Sequence, residues 1–481
     1  MFKFAKNIVG GIHPIDDGKS LTSDKAIEPL ARLPPRLYIK LKQHPGAPAN
    51  ALVHAGDRVQ AGQCIAQANG NFSTPLHAPL HGRVVAVTEQ YIELKPDSVQ
   101  PPIEPAQSHS PLNEDRSILI ERIAQAGIVG MGGAMFPLAD KLALSEQYAI
   151  DTLLINGSEC EPYMSCDDRV MQEQSAQIVG GIRLLLHITH AKQAIIGIEK
   201  NKPAAITAMQ SATSEDSKIR VQPLPALYPL GSSKQLIRAL TGIQLEQGRR
   251  SASYGVLVHN VASCVAVFQA LRFARPMTHR VVTISGRAIS EPRNIYAPIG
   301  TPISHLINQC QGLSESPVQR IMGGPMMGRA ITNIHQPIVK GTCGILMLST
   351  SESQVEQPSS CLRCGRCAQV CPMQLQPLHL LPLVQHEQFD QAKQLGLGQC
   401  LSCGACAYVC PASLPLTASF NWGKSELKIQ RYLTNKSELT RQRASAHQQR
   451  IVAETEAKKS AKAAKASKRQ NRRHMTEEQP R

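Results

Sequence analysis

Two nearly identical phrases in the C-terminal quarter constrain the fold of this chain more than any other feature. They read "CLRCGRCAQVCP" from Cys361 to Pro372 and "CLSCGACAYVCP" from Cys400 to Pro411. Each has the spacing C-x2-C-x2-C-x3-C-P, which sets three cysteines on one tight loop and carries the fourth into the next segment. Eight cysteines arranged in this way indicate metal ligands rather than isolated buried thiols.

This spacing predicts two [4Fe–4S] clusters, because the fourth cysteine of each ferredoxin-type run ligates the other cluster. Cluster one is expected to take Cys361, Cys364, Cys367 and Cys410, and cluster two Cys400, Cys403, Cys406 and Cys371. Structural zinc sites favour C-x2-C pairs that lie well apart, so they are the weaker explanation. With every iron corner held by a cysteine, we expect both clusters to pass single electrons.

The rest of the composition describes a multidomain globular protein. The chain has 481 residues, of which 42% are hydrophobic, enough for three or four domains with real cores. We find neither a secretory signal nor an uninterrupted apolar stretch of membrane-spanning length, and we expect neither. Fourteen cysteines in such a chain favour metal binding in a reducing compartment over disulfides.

The net charge of +16 is concentrated at the C-terminal end. Twelve Lys or Arg and four Glu fall between Arg441 and Arg481, which accounts for half of the excess. Residues 424–481 are therefore predicted to form a basic tail, helical or disordered. The tail lacks interleaved aromatic residues and any nucleic-acid-reading module, so we expect no nucleic-acid partner. Weak contact with an anionic lipid surface is a secondary expectation.

We predict a multidomain α/β fold. Short alternating strands over residues 1–100, with "GDRV" before "HAPLHGRVVAV", resemble the biotinyl/lipoyl type of hairpin barrel, a barrel-sandwich hybrid. Carrier domains of that type present a lysine at the hairpin tip. The corresponding stretch here, "QANGNFSTPL", has none, so we interpret the module as structural.

Three further domains follow. Apolar strands alternate with helical segments over residues 112–275, which predicts a Rossmann-like α/β domain. Two short strands, a turn and a helix within residues 278–350 fit a small β-grasp-like (SLBB) unit. Residues 355–420 form the two-cluster, ferredoxin-like α-helical domain.

A glycine-rich segment, "AGIVGMGGAMFPLADKL", lies near the start of the α/β domain. Its glycines, Gly130, Gly132 and Gly133 among them, permit close approach of the backbone to a ligand. The segment follows a helix rather than a strand, so it fails the context test for a dinucleotide fingerprint. Taken alone it fits a simple tight loop equally well.

A second polar segment, "LLINGSECEPYMSCDDR", follows a predicted strand and carries Asn156, Glu159 and Glu161. Ligands of open α/β sheets bind at the carboxyl ends of the strands, where these residues fall. A capped, solvated loop is the alternative. Together the two segments favour a nucleotide or flavin site.

At these segments the chain resembles known families. "GMGGAMFPLADK" is similar to the GRGGAGFPTGLK loop of the NADH-binding subunit of respiratory complex I, and "NGSECEP" to its NADESEP loop. The order of modules, with "GGIHP", "KQLIRALTG" and "IMGGPMMG", resembles the C subunit of the Rnf ion-translocating electron-transport complex over roughly residues 7–420.

The resemblance implies FMN as a cofactor and NAD(H) as a substrate. It assigns the flavin to Gly130, Gly132, Gly133 and Lys141, with Lys141 as the phosphate partner and Asn156 on the ribityl side. Phe136 would stack on the adenine of the nicotinamide nucleotide, and Glu161 would be the catalytic residue near the hydride-transfer face.

The chain departs from the family pattern at Met135, which replaces a glycine. A side chain there is expected to crowd the ligand, so a flavin-free iron–sulfur relay subunit remains an alternative. Another alternative is a soluble flavin/iron–sulfur oxidoreductase acting on an organic substrate. That activity requires acid–base residues facing the flavin, and we find no convincing set.

The resemblance thus implies an NADH-linked translocase subunit that passes electrons between NAD(H), through FMN, and two [4Fe–4S] clusters. Such a subunit would be peripheral, on the cytoplasmic face of the bacterial inner membrane. The implied partners are integral-membrane subunits of the same complex and an iron–sulfur partner subunit.

Overall fold

The structure is a computed structural model that describes residues 8–14, 17–101, 110–353 and 357–477. It divides into two compact units. The first comprises Met1–Leu378 with Gln399–Thr417, and the second His379–Gly398 with Ala418–Arg481.

The N-terminal strands, apart from the first, form two small sheets around one core. Their bounds are β1 Ile27–Pro29, β2 Leu37–Lys40, β3 Asn50–Ala51, β4 Arg58–Val59, β5 Cys64–Gln67, β6 Leu76–His77, β7 Gly82–Val87 and β8 Tyr91–Pro96, after a 3-10 turn at Lys19–Leu21. Antiparallel pairing gives the orders β2-β8-β7-β4 and β3-β5-β6, whereas β1 joins a later sheet. Inward positions alternate along β2, β7 and β8, and Leu37, Ile65 and Ile92 are almost fully buried. The barrel-sandwich prediction is confirmed.

The α/β domain is built on a four-stranded parallel sheet of order β11-β10-β9-β12. Its elements are α1 Arg116–Gln125, α2 Leu138–Leu142, α3 Leu144–Gln147, β9 Thr152–Gly157, α4 Cys166–Glu173, α5 Ser175–Thr189, β10 Gln193–Glu199, α6 Pro203–Ala212, β11 Ile219–Leu224, α7 Ser233–Thr241, β12 Val256–Asn260 and α8 Val261–Phe273, with 3-10 turns at Pro111–Asn113 and Ser251–Tyr254. Helices on both faces bury β9, β10 and β12, so these strands read as continuous apolar runs.

A six-stranded mixed sheet follows, in the order β1-β14-β13-β17-β15-β16. Its elements after β1 are β13 His279–Ser285, β14 Arg293–Pro298, α9 Ile303–Gln309, β15 Gln319–Met322, β16 Arg329–Ala330 and β17 Gly344–Leu348. Strand β1 lies parallel to β14, with Ile27 opposite Asn294, so the N-terminal segment completes the edge of this sheet.

Lys340 ties three of these regions together. Its buried Nζ donates to the carbonyl oxygens of Pro75 in the barrel, at 3.0 Å, and of Gly127 before the glycine-rich loop, at 2.6 Å. Arg280 of β13 donates to the Lys340 carbonyl oxygen over 2.6 Å. Burial lowers the pKa of Lys340 to about 7. The barrel is thus fixed beside the start of the glycine-rich loop.

The C-terminal region is helical. It contains α10 Arg366–Gln369, α11 Pro377–Gln385, α12 Phe389–Gln394, α13 Ala405–Tyr408 and α14 Leu416–Glu477, with a 3-10 turn at Leu397–Gln399. The long helix α14 begins before the predicted tail boundary at residue 424, and all residues from Lys428 to Arg469 are exposed. Among the described residues, none of the helices combines the length and apolar character that a membrane span requires.

Candidate functional site

The two cysteine loops have the same backbone conformation. Residues 39 positions apart in the two phrases adopt the left-handed region with nearly equal φ: Arg363 (52°) and Ser402 (58°), Gly365 (76°) and Gly404 (79°), and Gln374 (55°) and Ser413 (49°). A short helix follows the second cysteine of each loop, α10 in one and α13 in the other. The repeated phrase therefore specifies one local structure, built twice.

The thiols of predicted cluster two lie close enough to interact electrostatically. Cys371 of the first phrase interacts with Cys400, and both interact with Cys403 and Cys406 of the second phrase. Burial raises the pKa of Cys403 to about 11 and of Cys406 to about 12, so a bound metal must displace protons from these thiols. The proximity of Cys371 to the second phrase supports the predicted crosswise ligation.

The donor set fits a polynuclear cluster better than a single ion. Four thiolates around one zinc, each at about 2.3 Å, would bring their sulfurs to about 3.8 Å from one another. Within the described part of the chain, the one group of three candidate ligand atoms within 4.8 Å of one another lies elsewhere, at Glu159, Cys166 and Asp167. Backbone N–H groups of Leu375 and Ser402 donate to the sulfurs of Cys371 and Cys400, at 3.4 and 3.3 Å. Such donors suit cluster-bound thiolates.

The glycine-rich loop is closed at its base and open at its tip. The Gly130 N–H donates to the Phe136 carbonyl oxygen over 2.8 Å, and Leu138 N–H to the Ile128 carbonyl oxygen over 3.0 Å. Gly132 and Gly133 are exposed, and a Cβ placed on Gly133, at φ +96°, would meet no atom within 4 Å. The tip thus leaves free space directly over its backbone, as a close-lying ligand requires.

Met135 does not close this space in the way its sequence position suggests. Its φ is 49°, and its side chain packs against Gly341, where an added Cβ would lie 2.4 Å from the Met135 Cγ. The methionine joins the rim of the α/β core. The expectation that Met135 crowds the ligand is therefore not supported by the structure, because the methionine side chain packs against Gly341 instead.

The glycine-rich loop and the Asn156 loop meet at the carboxyl edge of the parallel sheet. Asn156 of β9 is paired with Asn260 of β12, and a Cβ on Gly132 would lie 3.8 Å from the Asn260 Cβ. Asn260 Nδ2 donates to Asp167 Oδ2 over 2.6 Å, and the Asp167 N–H donates to Glu159 Oε1 over 2.7 Å. The structure thus brings together two segments that the sequence predicts to share a ligand.

Asn156 itself is used to shape its loop. Its Nδ2 donates to the Gly231 carbonyl oxygen over 2.8 Å, and its Oδ1 accepts the Ser158 N–H over 3.1 Å. The Ser158 hydroxyl is buried without a hydrogen-bond partner among the described residues. The predicted contact of Asn156 with the flavin stays a prediction, and the unpaired Ser158 hydroxyl is compatible with a polar ligand here.

Lys141 and His259 form a second polar pair under the sheet edge. The buried Lys141 Nζ donates to the Val258 carbonyl oxygen, and burial lowers its pKa to about 8. His259 is buried beside it, and neither ring nitrogen has a partner in the described part of the chain. Burial, with the neighbouring Lys141 charge, lowers the pKa of His259 well below its ordinary range. A neutral imidazole offers one N–H donor and one acceptor nitrogen, so the unpaired His259 ring fits a polar ligand that can both accept and donate a hydrogen bond.

Glu161 belongs to the Asn156 loop, which follows β9, and contacts residues from outside that loop. Its Oε2 accepts the Met326 N–H over 3.1 Å, and its Oε1 is 3.5 Å from the Tyr228 hydroxyl. Burial raises the pKa of Glu161 to about 7. Gly324 packs directly on the carboxyl group, since a Cβ there would come 2.2 Å from Glu161 Oε2.

Lys19 holds this loop from the N-terminal segment, a role that sequence reasoning missed. Its buried Nζ donates to the carbonyl oxygens of Glu159, Glu161 and Met164, at 2.8, 2.8 and 2.6 Å. Burial lowers the pKa of Lys19. Tyr228 was missed as well. Neither residue lies in a local pattern that could have indicated its contacts, which are all distant in the chain.

Comparison with known families agrees with this architecture. Four family models match in chain order: the RnfC barrel sandwich hybrid domain at residues 6–103, the Nuo51 FMN-binding domain at 123–269, the SLBB domain at 281–330 and a 4Fe-4S dicluster domain at 360–414.

The chain is 42% identical over 435 residues to the C subunit of the ion-translocating oxidoreductase complex of Rhodobacter capsulatus, covering 88% of this chain and 83% of that one. It belongs to the family of these C subunits. The C subunit of the proton-translocating ferredoxin:NAD(+) oxidoreductase complex of Clostridium ljungdahlii is 40% identical over 399 residues, covering 81% of this chain and 87% of that one. The C subunit from Citrobacter koseri is 40% identical, and the match spans 60% of its length.

As a C subunit with an FMN-binding domain and a dicluster domain, the chain is an electron-transfer subunit of a multi-subunit ion-translocating oxidoreductase complex. FMN and [4Fe–4S] clusters are its cofactors. Among solved structures, an NAD+-reducing [NiFe]-hydrogenase in its H2-reduced state matches 58% of this chain and 51% of its own, at 18% identity and a TM-score of 0.44. That distant likeness adds nothing to the assignment.

Proposed function

We propose that this protein transfers electrons between NAD(H) and its two clusters by way of FMN, and that cluster two is the one next to the flavin site. A single contact carries the proposal. The Tyr228 hydroxyl donates to the Cys403 carbonyl oxygen over 2.5 Å and lies 3.5 Å from Glu161 Oε1. One side chain thus joins a predicted cluster ligand to the loop that is predicted to face the hydride.

Two further contacts lie directly after predicted cluster-two ligands, at Gly404 after Cys403 and at Pro372 after Cys371. Met326, whose N–H donates to Glu161, places its carbonyl oxygen 3.0 Å from the position that a Cβ on Gly404 would occupy. On the other side, the Gln235 side chain of α7 donates to the Pro372 carbonyl oxygen over 3.1 Å. Because transfer between redox centres requires proximity held in a fixed geometry, these contacts favour cluster two as the nearer centre.

Each residue of the site has a distinct proposed role. Gly130, Gly132 and Gly133 would give the flavin a backbone surface without side chains, and Lys141 would be the partner of its phosphate. Asn156 shapes the loop on the ribityl side. When bound, FMN would supply the conversion between a hydride and single electrons, and the clusters would carry these one at a time.

The residues of the Glu161 loop act on orientation and water access. Glu161 is held by Met326 and covered by Gly324, so its carboxyl group is fixed where it can orient the nicotinamide end of the substrate. Phe136 is proposed to contact the adenine end. The name of the Clostridium ljungdahlii relative, which refers to a ferredoxin:NAD(+) oxidoreductase complex, supports NAD(H) as the substrate.

Cluster one is proposed to pass electrons to an iron–sulfur partner subunit. Cys361 and Cys364 are exposed, and Leu362 between them is 67% exposed, an apolar side chain available to a partner. The protein is proposed to lie at the cytoplasmic face of the bacterial inner membrane, held peripherally by integral-membrane subunits. The exposed basic helix α14 suits weak contact with anionic lipid headgroups. No role in nucleic-acid binding is proposed.

The test compares two single-cluster variants of the full chain under anaerobic conditions. The wild type is expected to hold about eight irons per chain, with FMN, and to show cluster EPR signals after NADH is added. C403S should lose cluster two, and NADH should then fail to reduce the remaining cluster. C361S should lose cluster one, while NADH still reduces the remaining cluster. Both variants should retain about four irons.

The reverse pattern, with NADH reduction lost in C361S and kept in C403S, would reject the proposed order. Full iron content without FMN or any response to NADH would instead support a flavin-free relay. Oxidation of NADH coupled to an organic acceptor, with no electron passed to a membrane fraction, would support the soluble oxidoreductase.

A further inference from the structure

An aromatic residue of the N-terminal barrel stands out at the edge of the glycine-rich loop. Phe72 lies in the "NGNFSTP" stretch between β5 and β6, within the stretch compared above with the lysine-bearing tip of carrier domains. It is 43% exposed and has a φ of 60°, in the left-handed region. A bulky residue in this conformation is a genuine outlier, and such strain persists only where the surroundings impose it.

The surroundings of Phe72 do impose it. The Phe72 backbone lies beside Asp140 of helix α2, directly after the glycine-rich loop, and its N–H counteracts the rise that burial causes in the pKa of the Asp140 carboxyl. The Phe72 carbonyl oxygen accepts the Gly46 N–H over 3.0 Å, and a Cβ on Gly46 would come within 2.6 Å of the Phe72 backbone. The Phe72 backbone is thus packed against Gly46 and Asp140, while its ring remains partly exposed to solvent.

The exposed ring lies against the residue that is predicted to meet the adenine. The Phe72 and Phe136 rings are 5.3 Å apart at an interplanar angle of 45°. Gly132, Gly133 and Ala134, immediately before Met135 and Phe136, are all exposed. Two aromatic rings from different domains therefore border the open tip of the glycine-rich loop.

We propose that Phe72 extends the nucleotide-binding site, so that the adenine ring of the nicotinamide dinucleotide stacks on a platform made jointly by Phe72 and Phe136. The inference rests on the proposed function, because it presupposes that a dinucleotide binds at the glycine-rich loop. It assigns the barrel a direct role in substrate binding, beyond that of a structural module.

The chemistry of the platform suits a purine. Aromatic side chains stack on any nucleobase through its π-face, and the preset Phe72 backbone limits the ordering that binding requires. Loss of one such ring should weaken adenine-dependent binding roughly tenfold. The nicotinamide end, which meets the flavin, should be unaffected.

The test uses two reduced substrates with the full, cofactor-loaded chain and ferricyanide as the acceptor. NADH carries the adenine, and reduced nicotinamide mononucleotide lacks it. For F72A we expect the KM for NADH to rise roughly tenfold at unchanged kcat, and both constants for the mononucleotide to change by less than about twofold. F72W should restore the NADH value. L52A, at another exposed apolar position of the barrel, is the matched control and should behave as wild type.

ADP-ribose binding, measured by calorimetry, provides a readout that needs no hydride transfer. Binding to the wild type that weakens roughly tenfold in F72A supports the platform even if NADH oxidation is absent and the proposed function fails. Equal binding to both proteins, or no binding to the wild type, overturns the platform. A KM increase in F72A that is the same for NADH and for the mononucleotide overturns it too, and shows that Phe72 only anchors the barrel.

Discussion

The two cysteine loops share one backbone conformation but differ in how exposed their cysteines are. In the first loop Cys361 and Cys364 are exposed, whereas in the second Cys403 and Ala405 are buried. The second loop touches Tyr228 and Met326 of the preceding domains. The twelve-residue phrase determines the local ligand geometry, and contacts far away in the chain determine what each loop adjoins.

This difference implies that the two clusters are not equivalent. Solvent exposure is one of the factors that set cluster potentials, and it differs between the loops. Under the proposed ligand assignment, a symmetric sequence motif would yield an asymmetric relay, with a more buried centre beside the proposed flavin site and a more exposed centre available to the proposed partner subunit.

The largest expected effect, on iron content, comes from replacing the fourth cysteine of a phrase by serine, because this cysteine is predicted to ligate the cluster of the other loop. C371S, in the first phrase, should remove cluster two rather than cluster one, lowering iron from about eight to about four per chain. The signal that disappears from the EPR spectrum should be the one also absent in C403S.

C410S, at the equivalent position 39 residues further on, is the matched control and should remove the signal absent in C361S. If C371S instead removed the C361S signal, each phrase would hold its own cluster, and the crosswise assignment would be wrong.

Much of this architecture could be predicted from local sequence. Three of the four parallel strands, β9, β10 and β12, contain apolar runs, whereas β11 carries Arg220 and Gln222. The cysteine spacing alone predicts the cluster ligands. The glycine-rich loop and the Asn156 loop were linked through the rule that ligands bind at the carboxyl edge of a parallel sheet.

The features that sequence reasoning could not supply all depend on distant contacts. From the sequence, Met135 is expected to obstruct the site, because nothing local shows that Gly341, remote in the chain, leaves room for the methionine side chain. Lys19 and Phe72 belong to the N-terminal region, yet they act on loops of the α/β domain. A lysine among polar residues and a phenylalanine in a turn look ordinary until the fold shows what surrounds them.

The comparison can be sharpened with the paired glycines of the two loops. Gly365 and Gly404 have the same positive φ, but an added Cβ meets nothing within 4 Å at Gly365 and meets the Met326 carbonyl oxygen at 3.0 Å at Gly404. G365A should cost about 1 kcal/mol from left-handed strain. G404A should cost about 3 kcal/mol, because overpacking against Met326 adds to the same strain.

Anaerobic urea midpoints of the two holoprotein variants measure this difference, with the wild type as reference. Equal shifts for G365A and G404A would mean that the second loop does not press on Met326 in solution, and that the two loops are less different than the structure indicates.

A smaller effect, on the pH dependence of stability, should come from Glu161. This ionisable residue is connected to the second cysteine loop through the Tyr228 hydroxyl. Burial raises its pKa to about 7, above its value of about 4.5 in an unfolded chain. Folding therefore favours the protonated carboxyl, so this contribution to stability is fully present below pH 4.5 and is lost as the pH rises through 7. Allowing for partial exposure, the loss of unfolding free energy is about 2 kcal/mol.

E161Q cannot ionise, so its urea midpoint should fall less than that of the wild type between pH 6 and 8. E121Q, at an exposed position of α1, is the control and should follow the wild type. Parallel wild-type and E161Q curves would show that Glu161 is already ionised at pH 6, which would leave the buried loop without a titrating neighbour at this position.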